Sequence, residues 1–297
     1  MDLRQLQYFL AIVDHAGMAG AATALGVTPP TISTSIRTME RSLGLQLFHR
    51  VGRGMVLSSA GHTLVGPARQ ILRDAIAAKN TLTSSPTSAL VGQLDIMIFP
   101  LLGLSALAAA LTDFRESHPS VLVRIKEFQD ADQVVDLIRD GHCEFYLSHL
   151  PLSAADPLQS ITLALHELRL VYPPGTDLPP GPITLSQLPD IPMLWVPNDS
   201  TVLSERIQQE VQRMGNIPHL AAVVEHREAL LPFVAAGVGG TVVERAAAEA
   251  LTNGCVVRPT IPVLNRAVGL TFDPDLLSPV ARAFLAVVRE RLDPDLN

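Results

Sequence analysis

Apolar positions in the first 60 residues repeat at helical spacing. Leu3, Leu6, Phe9, Leu10 and Val13 share one face and predict a helix over 3–16, stopped by Gly17. Ala21, Ala22 and Leu25 predict a short second helix near 19–25, ended by Gly26, which lacks the Cβ that opposes a left-handed terminal residue. A third helix opens at Thr28 as N-cap, with Pro29 and Pro30 in a first turn whose amides have no helical partner. Ile32, Ile36, Met39 and Leu43 form its apolar face, and Thr31, Thr34, Ser35 and Thr38 the opposite one. Hydroxyl residues are poor helix formers, and a merely solvated face usually carries Glu and Lys. Short hydroxyls let a helix approach base edges and phosphates, so this is read as a recognition helix in a major groove. Two glycines around Arg53 then predict a wing of short extended segments, with Arg50 at its base and Arg53 at its tip.

From Ser59, read as a cap, the apolar steps of three and four through Leu64, Val65, Ala68, Ile71, Leu72, Ala75 and Ile76 predict a helix to about Leu82. Such a helix is about 36 Å long, more than a compact domain needs. Its stripe resembles a coiled-coil seam and would be buried against the same helix of a second copy. The alternative is packing on its own C-terminal domain. Residues 83–88 are polar and serve as a hinge.

Beyond residue 90 strand and helix patterns alternate. Strands are expected at 94–99, 121–128, 145–148, 166–172, 192–196, 219–224 and 256–259, and again from Leu270. Helices are expected at 104–114, 133–139, 203–214, 227–236, 244–251 and 278–291, which together imply α/β layers.

Charge refines this picture. The net charge of −7 argues against a nucleic-acid partner, but residues 1–80 carry eight basic and four acidic side chains, leaving the excess acid to the remainder. A basic head on an acidic body fits a DNA-binding module joined to something that should avoid phosphate. Cys143 and Cys255 lie far apart without CxxC spacing, so a reducing compartment is expected. No apolar run approaches membrane-spanning length and the polar start is unlike a signal peptide, so a cytoplasmic protein without a membrane partner is expected.

The residues Leu3-Arg4-Gln5-Leu6-Gln7-Tyr8-Phe9, Ala21-Ala22, Ile32-Ser33, Met39-Glu40, Leu43-Gly44, Leu47-Phe48, Arg50, Arg53 and Ala60-Gly61 keep an order and spacing that resembles the winged helix-turn-helix of LysR-type transcriptional regulators. The family usually has Ser-Gln-Pro at the start of the recognition helix and Ser-Arg one turn later. Here Thr28-Pro29-Pro30 and Ser33-Thr34 stand in those places, so no operator sequence carries over. Gly92-Gln93-Leu94, Phe114 to Pro119, Leu137 to Gly141 and Val234 to Gly239 resemble the family's effector domain more loosely.

The resemblance implies a multidomain protein: an all-α winged helix-turn-helix head (1–58), a long linker and dimerisation helix with hinge (59–90), and an α/β two-lobed periplasmic-binding-protein-like effector domain (91–297). Lobe I is expected at 91–162 and 268–297, lobe II at 163–267. It also implies double-stranded promoter DNA as partner, a small-molecule effector, a homodimer through the linker helix with a homotetramer left open, and neither cofactor nor enzyme activity. Thr28, Pro30, Thr31, Ser33, Thr34, Arg37, Arg50 and Arg53 are the expected DNA-binding residues. Loops at strand ends supply the candidate effector contacts Phe99, Pro100, Leu101, Asp130, Asn198, Ser200 and Thr201. Apolar residues at the first loop and Asp130 at the second favour a neutral or amine-bearing effector, unless Asp130 only caps a helix.

Other signals are weak. Gly237-Val238-Gly239-Gly240 lacks GxGxxG spacing and reads as a tight turn. His142, Cys143 and His149 read as a strand burying a core thiol, not as metal ligands. The competing function is a solute-binding or enzymatic α/β protein whose N-terminal helices are structural.

Overall fold

A computed structural model of the chain describes residues 1–15, 17–51, 54–83, 90–100, 105–128, 130, 133–152, 158–195, 219–224, 227–251 and 254–292. The first three helices are α1 (Leu3–Asp14), α2 (Met18–Leu25) and α3 (Pro29–Leu43). They share a core of Leu6, Phe9, Ala21, Ile32, Ile36 and Met39, the positions given by the helical spacing. Leu25 and Leu43 stay exposed. Asp2 starts α1 with a reciprocal cap: its carboxylate accepts from the Gln5 amide at 2.8 Å, and Gln5 Oε1 accepts from the Asp2 amide at 3.0 Å. Gly26 and Gly44 end α2 and α3 at φ 64° and 70°, where a side chain would be strained. A two-stranded antiparallel wing follows, β1 (Phe48–Val51) against β2 (Gly54–Leu57).

Helix α4 (Ser59–Thr83) is capped one residue earlier than the sequence suggests. Ser58 Oγ accepts from the Gly61 amide at 3.0 Å and donates to the Gln46 carbonyl at 2.6 Å. Val65 and Ala68 are buried in the head core, with Leu64 and Leu72 packed beside them. Part of the expected seam is therefore covered within the chain.

The C-terminal part is built from β3 (Gly92–Ile98), α5 (Ser105–Ser117), β4 (Val121–Glu127), α6 (Val134–Arg139), β5 (Phe145–Leu150) and β6 (Gln159–Tyr172). It continues through β7 (Ile183–Thr184), β8 (Met193–Trp195), β9 (Leu220–Val223), α7 (Leu230–Ala235), β10 (Thr241–Glu244) and α8 (Arg245–Glu249). Strands β11 (Val256–Arg258), β12 (Thr260–Ile261) and β13 (Asn265–Phe272) and helix α9 (Pro279–Arg291) complete it. A seven-stranded mixed sheet runs β10-β6-β13-β5-β3-β4, with β11 also on β6; β3 is parallel to β4 and β5, and β13 is antiparallel to β5 and β6. The pairs β7–β12 and β8–β9 form two small sheets.

The long strand β6 joins the two lobes. Ile161 lies in a core with β3, β5, α5 and α9, whereas Leu168 to Tyr172 lie in two further cores with α7, α8 and the small sheets. The pattern over 166–172 marks only its second half. Cys143 precedes β5 instead of lying in it, and residues 145–149 are all buried, without alternation, because β5 is covered on both faces. The helix expected over 227–236 begins as a 3-10 turn (Arg227–Ala229), since Pro232 has no amide to close an α-helical turn onto Glu228. The helix expected over 203–214 lies outside the described residues. No described helix is long and apolar enough to cross a membrane.

Candidate nucleic-acid interface and cleft

Burying Ile32, Ile36 and Met39 turns the hydroxyl face of α3 outward. Thr28, Pro30, Thr31, Thr34 and Arg37 are exposed, and Ser33 is half-buried beside them. Thr28 is the N-cap in extended conformation, but its hydroxyl pairs with that of Thr31 at 2.9 Å instead of taking a backbone amide. Thr38 donates to the Thr34 carbonyl at 2.9 Å, and Arg41 Nε to the Arg37 carbonyl at 3.3 Å, so both fold back onto the helix. Arg50 is exposed on β1, while Arg53 lies outside the described residues.

The sequence did not single out Glu40. Its Oε1 accepts from the amides of Leu47 at 2.8 Å and Phe48 at 3.3 Å, tying the entry of the wing to α3. The available signal was a lone carboxylate on α3, next to Met39 and three residues before Leu43, ahead of the apolar pair Leu47-Phe48.

In the second domain Phe99 and Pro100 follow β3 and are buried. The Phe99 ring meets His149, at the end of β5, edge-on with centroids 5.9 Å apart. His149 Nε2 lies 3.4 Å from Glu244 Oε1, and His166 Nδ1 lies 3.0 Å from Glu244 Oε2. These residues come from β5, β6 and β10, where the cores of the two lobes meet. Neither histidine nor Glu244 stood out in the sequence as part of this site, since pairing across 95 positions leaves no local pattern. Asp130 is half-buried and accepts from Gln133 Nε2 at 2.5 Å at the approach to α6, whose N-cap has no side-chain hydrogen bond. Leu101, Asn198, Ser200 and Thr201 lie outside the described residues. Cys143 is a core thiol, pushed up to about 12 chiefly by burial.

Burial alone would raise the Glu244 carboxyl, but the His149 and His166 rings beside it outweigh that effect and hold the group at about 2. A depressed carboxyl adds stability above its unfolded value near 4.5 and loses it as pH falls toward 2. Glu244→Gln is therefore expected to lower stability at pH 7 by about 2 kcal/mol, or roughly 5 °C in Tm. The gap should narrow as pH falls from 4.5 toward 2. Equal melting curves for parent and variant at pH 7 would show that the pairing contributes nothing.

Two family models match the chain: bacterial regulatory helix-turn-helix protein, lysR family, over residues 3–62, and LysR substrate binding domain over residues 87–293. It is 28% identical to the HTH-type transcriptional regulator TfdS of Cupriavidus pinatubonensis, covering 97% of this chain and 98% of that protein. It is 30% identical to the HTH-type transcriptional regulator YwbI of Bacillus subtilis, covering 99% and 98%. Among solved structures, a full-length OxyR variant from Pseudomonas aeruginosa superposes with a TM-score of 0.71 at 20% identity, covering 97% of this chain and 94% of that one. Full-length CbnR in complex with its target DNA gives 0.65 at 22% identity, covering 98% and 99%.

Proposed function

The chain belongs to the LysR family of bacterial transcriptional regulators, and we propose that the outward hydroxyl row of α3 reads its promoter DNA. It is a DNA-binding regulator with an effector-binding domain, not an enzyme, and the reading of its N-terminal helices as merely structural is set aside. The observation that carries the proposal is the exposed set Thr28, Pro30, Thr31, Thr34 and Arg37, with Ser33 beside it, on a helix whose opposite face buries Ile32, Ile36 and Met39. Arg50 and Arg53 of the wing hold the duplex backbone. The head spans 1–58, the linker 59–90 and the effector domain 91–297, and the protein works in the cytoplasm. Homodimers through the exposed part of α4 place two heads on adjacent half-sites, with Ile71 and Ile76 on the paired face. Assembly of two dimers into a tetramer is compatible with the same surface.

The effector lies against Phe99, Pro100, Leu101, Asp130, Asn198, Ser200 and Thr201. The carboxylates of Asp130 and Glu244 on that side support a neutral or amine-bearing ligand over a simple anion. A thermal-shift screen of small metabolites identifies the class, because a ligand that binds only the native state raises Tm.

Salt-dependent gel shifts on the protein's own upstream DNA test the reading. Specific affinity should exceed that for random DNA by at least about a thousandfold. Equal affinity for both refutes it. Thr34→Ala should change sequence preference, whereas Arg50→Ala should weaken all sequences alike and reduce the salt slope by about one. An unchanged preference in Thr34→Ala removes Thr34 from the readout.

A further inference from the structure

The linker helix is anchored on the effector domain of its own chain. Gly66 on α4 lies so close to the end of α6 that a Cβ there would sit 1.9 Å from the Arg139 carbonyl oxygen. One turn on, Arg69 pairs with Asp14 of α1 at 2.5 Å and packs against Gly141, where an added Cβ would lie 3.1 Å from Arg69 Cβ. Arg73 donates from Nη1 to the Gly141 carbonyl at 3.0 Å, and its Nε lies 4.0 Å from Glu144 Oε1. Glu144 is buried and accepts from the amide of Ser278, the N-cap of α9, at 2.8 Å. Gly66, Arg69 and Arg73 are spaced three and four apart and form one stripe on α4. That stripe touches the head at one end and the turn at 139–144 on the other side.

We infer that this Gly66–Arg69–Arg73 stripe and the 139–144 turn form an intrachain latch that fixes the head relative to lobe I and passes movement of β5 to the DNA-binding helices. The covalent route from α4 to β3 runs through residues 84–91, whereas the latch bypasses it. The turn is the direct lead-in to β5, and His149, the next-to-last residue of β5, lies beside Phe99 and Glu244, so the cleft and the latch lie at opposite ends of one strand. Glu144 joins the turn to α9 as well, so the latch follows lobe I as a body.

The joint is suited to opening. Arg69 Nε, Arg73 Nε and Glu144 Oε2 are buried with no hydrogen-bond partner among the described residues. Such atoms lose water on docking without full compensation, which keeps the joint weaker than its close packing implies. Burial raises the Glu144 carboxyl while Arg73 opposes that shift, so the two groups depend on each other. This inference builds on the regulator reading above, yet the contact itself can be tested without it.

Gly66→Leu and Arg73→Gln in the full-length chain separate the outcomes. Leucine is a better helix former than glycine, so loss of helix does not explain an effect at 66. Arg73→Gln adds no atoms at the tight approach and carries the same test should Gly66→Leu fail to fold. Hydrogen exchange should quicken by about tenfold or more in segments 62–73 and 139–144 together in both variants. Affinity for the upstream DNA should fall by about tenfold in Gly66→Leu with affinity for random DNA unchanged, a coupling of ordinary allosteric size. Parent-like exchange at 139–144 in both variants overturns the contact. Faster exchange with unchanged specific affinity overturns its role in coupling. If the parent itself shows no preference for its upstream DNA, the regulator reading fails, while the exchange data still decide the joint.

Discussion

Phe284→Ala will cost the effector domain about 4 kcal/mol and lower its melting transition by roughly 10 °C. Phe284 on α9 is fully buried. Its ring stands edge-on to Phe114 of α5, with centroids 5.4 Å apart, and to Phe145 of β5 at 5.5 Å. Phe145 meets Phe272 of β13 in the same manner at 5.6 Å. Four rings thus join two helices to two neighbouring strands of the sheet, and removing the one that meets both α5 and β5 leaves a cavity that rigid strands cannot close. Edge-to-face contacts add about 1 kcal/mol beyond burial, so Phe284→Leu should recover part of the loss but not all of it. The head keeps its own core around Phe9 and Ile36, which shares no residue with this one. Calorimetry of the full-length protein should therefore show the effector transition moving down while the head transition moves much less. A shift of the effector transition below about 2 °C would mean that the ring cluster is not what holds α9 to the sheet.

The same contrast between cores explains what the sequence disclosed. In the head, Leu6, Phe9, Ile32, Ile36 and Met39 face inward because a single core lies on one side of each helix, so a 3.6-residue period maps directly onto burial. The outward row of Thr28, Thr31 and Thr34 follows from the same geometry. Periodicity states that a stripe needs cover, but not what covers it. The stripe on α4 reads as a coiled-coil seam, yet Val65 and Ala68 are consumed by the head and Gly66 by the Arg139 carbonyl. The Gly66-Pro67 pair inside the helix was the local sign of that second contact. Around the cleft the sequence is quieter. Phe99 and Pro100 were accessible from their place after a strand, whereas His149, His166 and Glu244 meet because β13 pairs with both β5 and β6 and β6 pairs with β10. Such long-range registers leave no trace in local alternation, and β5, buried on both faces, shows none.

Glu40→Ala will weaken specific DNA binding by about ten- to a hundredfold, although it removes a negative charge from a DNA-binding head. Electrostatics alone predicts the opposite sign, because one fewer carboxylate near phosphate lets the protein bind more tightly and less selectively. The positioning role outweighs this. Glu40 Oε1 takes the amides of Leu47 and Phe48, and without it two part-buried donors lose their acceptor at a cost of about 1–3 kcal/mol. Phe48 is also the first residue of β1, and its ring lies tilted against Phe9 of the head core with centroids 5.4 Å apart, so freeing its amide loosens the strand that carries Arg50. Glu40→Gln separates the two effects, since the amide oxygen still accepts while the charge is gone. It should bind the upstream DNA as tightly as the parent or more so, with both variants folded by circular dichroism. Tighter binding by Glu40→Ala as well would show that Glu40 acts through charge alone, and that the entry of the wing is held by the Ser58 link between Gln46 and α4 instead.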